Sequence, residues 1–412
     1  MNNIKVNVAV PRLSDFPQWQ RTRLLEIALA LGGFALGSSE FASMGLLPEI
    51  ANASGITETR AGGMISAYAI GAIIGAPLLT LLGASMTRRK LLLVTLMLVI
   101  MGNLATVFST GFNELFVARL LSGIPHGTYF GVAGFVVASA VPLQERARAI
   151  SRFMLGVTLS IVVGTPLATF IGQLFGWYWA FAQVCLLAFI TLVMIVYLLP
   201  VNPHEKRSAP RTELNAMVNI QVWLTLGIAA IGFAGMFCIY SYLAPALVNI
   251  THLTPHGIPP MLVLFGVGTV IGNVIGGRLC TRFRFDSVGI ILALSAIFML
   301  GYPLAMHNIL SAAAGVFLVG CLMALAPALQ VRLLEVASNA PSLAAASNHA
   351  AFNIANAIGP WLGGMAVAAG YGWTSTGYIG AVMALGGLGI WFIAKRLERC
   401  KSSSSEESTD TL

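Results

Sequence analysis

Two charged residues stand apart from every other charge in this chain. Glu40 lies about 16 residues into a long apolar run, and Arg119 lies about six residues into another. A charge held inside a hydrocarbon layer costs about 2.5–3.5 kcal/mol, so one that is kept has work to do. If the two runs cross a membrane in opposite senses, both residues fall in its outer half, at similar depth and with opposite sign. They are placed to pair, directly or through water. A carboxyl held between burial, which disfavours its charge, and a nearby cation, which favours it, can load and release a proton. Glu40 shares its helical face with Gly33, Gly37 and Met44, and the two glycines are expected to leave room beside the carboxyl for water or a ligand.

His126 lies seven residues after Arg119 and therefore on the same face, two turns deeper. Two roles are open to it. It is a proton relay or substrate hydrogen bond, or it satisfies the backbone carbonyl that Pro125 frees. His349, Asn353 and Asn356 form a polar stripe at spacings of four and seven, which must face protein or a wet cavity. Gln330, just after Pro327, is a further candidate of that kind. Tyr68, Phe34, Phe41, Tyr240 and Tyr242 are candidate walls of a substrate cavity, with plain packing as the alternative.

The elements that carry these residues follow from composition. Of 412 residues, 23 are Lys or Arg and 15 are Asp or Glu, only 9% charged, while 57% are hydrophobic and Gly numbers 43. Mean hydropathy is +0.84. A chain with about a third of the usual charge cannot cover a water-facing surface, so a soluble globule is excluded, as are disorder and a coiled coil. The 5 cysteines show no paired spacing, so neither a disulfide framework nor a metal site is implied.

Twelve apolar runs are long enough to span a bilayer, near 24–47, 60–83, 90–109, 113–139, 150–172, 177–199, 219–248, 257–280, 287–305, 309–334, 343–369 and 374–397. The first lacks the short core and cleavage site of a removable signal and reads as a retained helix. With the N-terminus inside, 21 of the 23 basic residues fall on the cytoplasmic side, which places both termini there. The basic balance is thereby explained without a nucleic-acid partner. The expected organisation is a cytoplasmic segment 1–23, a six-helix bundle 24–199, a cytoplasmic linker 200–218, a second bundle 219–397 and a disordered tail 398–412.

The halves look alike. Gly71 and Gly75 in the second helix match Gly272 and Gly276 in the eighth, a spacing that lets backbones approach closely. Gly176-Trp177 after the fifth helix matches Gly372-Trp373 after the eleventh. A duplicated six-helix unit is the expected fold.

These features resemble the major facilitator superfamily, and within it the drug/proton antiporter branch that includes arabinose-efflux-like and sugar-efflux permeases. The resemblance runs from about Leu24 to Lys395. Its motifs are Ser39-Glu40-Phe41 with Gly45-Leu46-Leu47-Pro48 in the first helix and Arg119 to Gly127 in the fourth. Gly156, Gly164 and Pro166 carry the antiport-type motif of the fifth, and Ala351 to Gly359 the pattern of the eleventh. The loop after the second helix, Gly83 to Lys90, keeps the basic cluster Arg88, Arg89 and Lys90 but lacks the family's aspartate. Those bases are expected to cap helix C-termini or bind anionic lipid.

The resemblance implies a monomeric exporter of the bacterial inner membrane. It would exchange protons for a sugar, nucleoside or drug-like solute by alternating access and would need no cofactor. An uncoupled facilitator or a proton symporter is the alternative, and a non-transporting sensor a further one. An enzyme is not expected, since no Gly-x-Ser-x-Gly, His-Glu-x-x-His, Cys-x-x-Cys or phosphate-loop motif occurs.

Overall fold

A computed structural model of the protein describes residues 18–83, 86–142, 145–200, 219–337 and 341–409. Among these there is no β-strand. The long helices are α1 (Gln18–Gly45), α2 (Glu58–Gly83) and α3 (Arg88–Val107). There follow α4 (Phe112–Ser139), α5 (Arg148–Phe175) and α6 (Tyr178–Leu198). The second set is α7 (Ile220–Ser241), α8 (Ile258–Phe283), α9 (Asp286–Ala305), α10 (Ile309–Val336), α11 (Pro341–Ala366) and α12 (Ser375–Thr409). Eleven of them are apolar and long enough to cross a membrane. The remaining one, α11, spans 26 residues but opens on a small and polar stretch from Pro341 to His349.

Local chemistry sets many of the boundaries. Thr87, Asn219 and Asn308 start α3, α7 and α10, each accepting a bond from a backbone N–H inside the first turn. α4 breaks around Ile124-Pro125, where proline removes a helical donor. α5 carries a π-helical turn at Ser160–Gly164, and Thr165 Oγ1 donates back to the Ser160 carbonyl at 3.0 Å. Gly176 and Gly372 sit after α5 and the α11 segment with φ +107° and +78°, a region that costs glycine nothing. The last helix runs past the expected boundary at 397 to Thr409, and Arg332 holds Glu398, the first residue beyond that boundary, at 3.0 Å. The expected linker, 200–218, lies outside the described residues except for Pro200, as do residues 1–17 and 410–412.

The two sets of six repeat one plan. A Cβ on Gly71 would strike the Leu120 carbonyl and one on Gly75 the Ile124 carbonyl, so α2 and α4 touch backbone to backbone. Gly272 and Gly276 stand in the same relation to Cys321 and Ala324, joining α8 to α10. With lipid as solvent, this close packing replaces the hydrophobic drive as the force between helices. Each set also places a short helix after its first member, Leu47–Ala53 and Leu243–Asn249.

The halves meet where α2 runs along α11, with Ser66 Oγ donating to the Ala357 carbonyl at 3.0 Å, and where Gly266 of α8 seats on the backbone of Val162 in α5. One apolar cluster unites them at the end away from the chain termini, including Leu47, Ile50, Met64, Tyr242, Leu243 and Leu247. Toward the termini, the first half keeps its own cluster, with Leu25, Leu92, Phe130 and Phe153. The molecule is thus closed at the end away from the termini, while its apolar cores stay separate at the other.

Candidate functional site

Glu40 sits in the last third of α1, where that helix faces the other half. Its Oε1 accepts a hydrogen bond from Asn356 Nδ2 of α11 at 2.7 Å. Its Oε2 lies 3.9 Å from His126 Nε2, beyond hydrogen-bond reach but close enough for charge to be felt. Tyr68 Oη of α2 is 3.0 Å from His126 Nδ1. Carboxylate, imidazole, phenol and amide thus meet from α1, α4, α2 and α11, all buried.

Arg119 is fully buried. It is not bound to Glu40: among the described residues no guanidinium–carboxylate contact within 4.0 Å joins them. Arg119 Nη2 instead donates to the Ser39 carbonyl at 2.7 Å and Nη1 to Ser39 Oγ at 3.2 Å. Ser39 Oγ in turn donates to Asn103 Oδ1 of α3 at 2.7 Å. The guanidinium lies over the Tyr68 ring at 4.5 Å and the Phe181 ring at 5.1 Å. Of the two pairings expected from matching depth, direct or through water, the direct one is absent, and the arginine is anchored one residue upstream. Depth along a helix does not fix azimuth, and the Ser39 carbonyl turns toward α4 while the Glu40 side chain turns toward α11.

A second correction concerns the glycines beside Glu40. Gly33 faces Phe130, whose Cε1 would lie 3.3 Å from an added Cβ, and Gly37 faces Ser160 Oγ. Their room is filled by α4 and α5 and is not left for a ligand. The antiport-type motif explains part of this. Gly156 lets α5 lie on the Ala30 carbonyl of α1, and Gly164 faces Phe34 and Ser38, so the motif glycines bring α5 against the helix that bears Glu40. Pro166 is buried in the first turn after the π-helical turn.

The remaining candidates distribute as follows. His126 faces Glu40 and Tyr68, not the backbone around Pro125. His349 stacks on Phe130 at 6.1 Å with an interplanar angle of 5°. Asn353 Nδ2 folds back to the His349 carbonyl at 2.9 Å and leaves its Oδ1 buried without a partner. Tyr240 stacks on Phe265 at 3.9 Å and meets Phe41 edge-on at 6.0 Å, its hydroxyl buried and unpartnered. Gln330 accepts from Asn348 Nδ2 at 2.6 Å, away from the Glu40 group. Tyr242 donates to the Pro360 carbonyl at 2.9 Å and lies against Gly62, so it packs the two halves together at the far end of the molecule. In the loop cluster, Arg89 Nη2 donates to the Val196 carbonyl in the last turn of α6 at 2.7 Å, the capping expected of it. Arg88 lies over the Phe135 ring, and Lys90 N–H is the donor that caps α3.

Asn103 is not among the residues the sequence singles out, and Ser39 enters there only as part of the first-helix motif. Asn103 carried a usable signal, a single amide inside the apolar run of α3. Ser39 carried none beyond its place in that motif, since a helical Ser bonds its own turn as often as a neighbour.

An all-helical membrane fold of two six-helix halves meeting at a buried carboxyl defines a multi-pass transport protein. The Major Facilitator Superfamily model matches residues 29–243 and again 224–410. The chain is 36% identical over 371 residues to the inner membrane transport protein YdhP of Escherichia coli (strain K12), covering 90% of this chain and 95% of that one. It is 29% identical over 382 residues to the putative transporter AraJ of the same organism, covering 92% and 97%. In fold it is similar to a bacterial homologue of the human lysosomal transporter Spinster, with a TM-score of 0.72 at 15% identity, covering 91% and 97%. This chain belongs to the major facilitator superfamily.

Proposed function

We propose that the protein is a proton-coupled secondary transporter that exports a small molecule across the bacterial inner membrane by alternating access. The observation that carries the reading is the position of Glu40. It is a buried carboxyl on one half whose hydrogen-bond partner, Asn356, belongs to the other. A proton gained or lost there acts on the contact that must break when the halves rock. Arg119, two bonds deep into Ser39, is a fixed positive centre nearby, and His126 with Tyr68 forms the polar path beside the carboxyl. The placement of basic residues supports termini in the cytoplasm, and the closed end then faces outward. The relative described as an inner membrane transport protein supports that location for this chain.

One proton entering across 100 mV supplies roughly 2.3 kcal/mol, enough for about fifty-fold accumulation against a gradient. The solute is a sugar, nucleoside or drug-like molecule, and the working unit is the monomer. Tyr240, His349 and Asn353 border the Glu40 group and are its substrate contacts. Gln330 lies away from that group and bears on α10–α11 packing.

A growth screen of overexpressing and deletion strains against sugars, nucleosides and drugs identifies the solute. Reconstituted protein then tests coupling. Glu40→Gln should abolish uphill flux driven by a pH gradient while solute exchange persists. Uphill flux that survives Glu40→Gln rejects proton coupling at this site and leaves an uncoupled facilitator or a symporter that uses another group.

A further inference from the structure

The partner of Glu40 is informative because it is only half used. Asn356 Nδ2 donates to Glu40 Oε1 at 2.7 Å, while Asn356 Oδ1 is buried with no partner at all. A buried amide oxygen left unsatisfied costs about 1–3 kcal/mol, so it needs an explanation. The groups that face Glu40 supply no donor to that oxygen. His126 of α4 binds Tyr68 of α2, Arg119 of α4 gives both Nη atoms to Ser39 and leaves its Nε without a partner, His349 of α11 stacks on Phe130, and the Tyr240 hydroxyl of α7 is itself unpartnered.

The donor that would complete the amide is a proton on Glu40. A carboxylic acid and a primary amide are complementary. The acid carbonyl accepts the amide N–H, and the acid O–H donates to the amide oxygen. A carboxylate satisfies only the first of these bonds. Closing the far end of the molecule over Glu40 also removes it from water, which an acid tolerates and an anion resists.

We propose that Asn356 is the positioning residue through which the second half reads the protonation state of Glu40. The acid form makes a two-bond tie between α1 and α11 that holds the far end closed, and the carboxylate makes a one-bond tie that lets it open. This rests on the coupling reading above and assigns its transmission to one named amide. A proton arriving from outside then closes the outside, and its loss to the cytoplasm releases the contact.

The test needs no solute. Spin labels at Asn52→Cys and Thr254→Cys, both exposed and on opposite halves at the far end, report its opening in the full chain. The native cysteines are replaced by alanine, and the protein is held in lipid nanodiscs from about pH 5 to about pH 9. The parent should pass from closed to open as pH rises. Without solute to open it, Glu40→Gln, which carries the amide permanently, should stay closed across this pH range. Adding Asn356→Leu to Glu40→Gln should lower the closed-to-open ratio about tenfold, the loss of two hydrogen bonds. Asn356→Asp, of the same size, should keep closure at acid pH, where two carboxyls share a proton, and open more fully than the parent when both are charged. The proposal is overturned if Asn356→Leu leaves the Glu40→Gln ratio unchanged, or if the Leu and Asp variants respond to pH alike. A Glu40→Gln protein that still opens with pH like the parent overturns the coupling reading itself, which is a different result.

Discussion

Arg119 offers the sharpest test of how a buried cation is held here. The perturbation is Arg119→Lys, which keeps the charge and removes the fork. In the structure, Nη2 and Nη1 make two bonds to Ser39 at 2.7 and 3.2 Å, and the planar group lies 4.5 Å from the Tyr68 ring and 5.1 Å from the Phe181 ring. An ammonium can retain the bond to the Ser39 carbonyl but cannot lie flat over two rings or reach Oγ in the same geometry. One charge-assisted bond is worth about 1.5–3 kcal/mol and the aromatic contacts about 0.5–1 kcal/mol. The expected loss is about 2–4 kcal/mol, a fall on the order of 5 °C in apparent unfolding midpoint. Arg119→Leu is the counter-test. It removes the desolvated charge, and Ser39 Oγ keeps its bond to Asn103. It should therefore be less destabilising than lysine, because no carboxylate within 4.0 Å offsets the cost of burying this charge among the described residues. The assay is thermal unfolding in detergent, read by labelling of the buried thiols Cys185 and Cys238. A lysine variant as stable as the parent, or a leucine variant well below it, refutes the reasoning.

Four further outcomes follow from the contacts. Gly276→Val and Gly71→Val should each reduce the yield of monodisperse protein, since their side chains drive into the Ala324 and Leu120 carbonyls at about 1–3 kcal/mol or more. Gly131→Ala, with nothing within 4 Å of its Cβ, should be neutral or slightly stabilising by the same chromatographic measure. Tyr242→Phe deletes the bond to the Pro360 carbonyl, worth about 1 kcal/mol. A cysteine placed at Gly62 neighbour Gly63 should then react several-fold faster with a water-soluble maleimide. Arg152 is half exposed and bonds both oxygens of the buried Glu26, at 2.7 and 2.8 Å. Arg152→Ala should lower the unfolding midpoint more than Glu26→Gln, because only the first leaves a buried carboxylate unpaired.

Much of this molecule is written in one-dimensional terms. Length and apolarity of the runs specify the helices, the distribution of basic residues sets the orientation to be expected, and the matched glycines specify two like halves. Each is a property that a membrane imposes on a segment without reference to its neighbours. The same reasoning singled out Glu40, Arg119 and Asn356 as polar groups that lipid would not tolerate.

What the sequence could not decide is who faces whom. Glu40 and Arg119 share a depth, yet the helix turns by about 100° per residue, so Ser39 rather than Glu40 meets the guanidinium. Gly33 and Gly37 looked like space, yet Phe130 and Ser160 fill it from α4 and α5. Asn356 lies 316 residues from Glu40, and only the packing of α11 between α2 and α7 brings its amide to the carboxyl. Depth and polarity are local and can be read along the chain. Azimuth and partnership belong to twelve helices packed at once, because each helix settles its rotation against all its neighbours together.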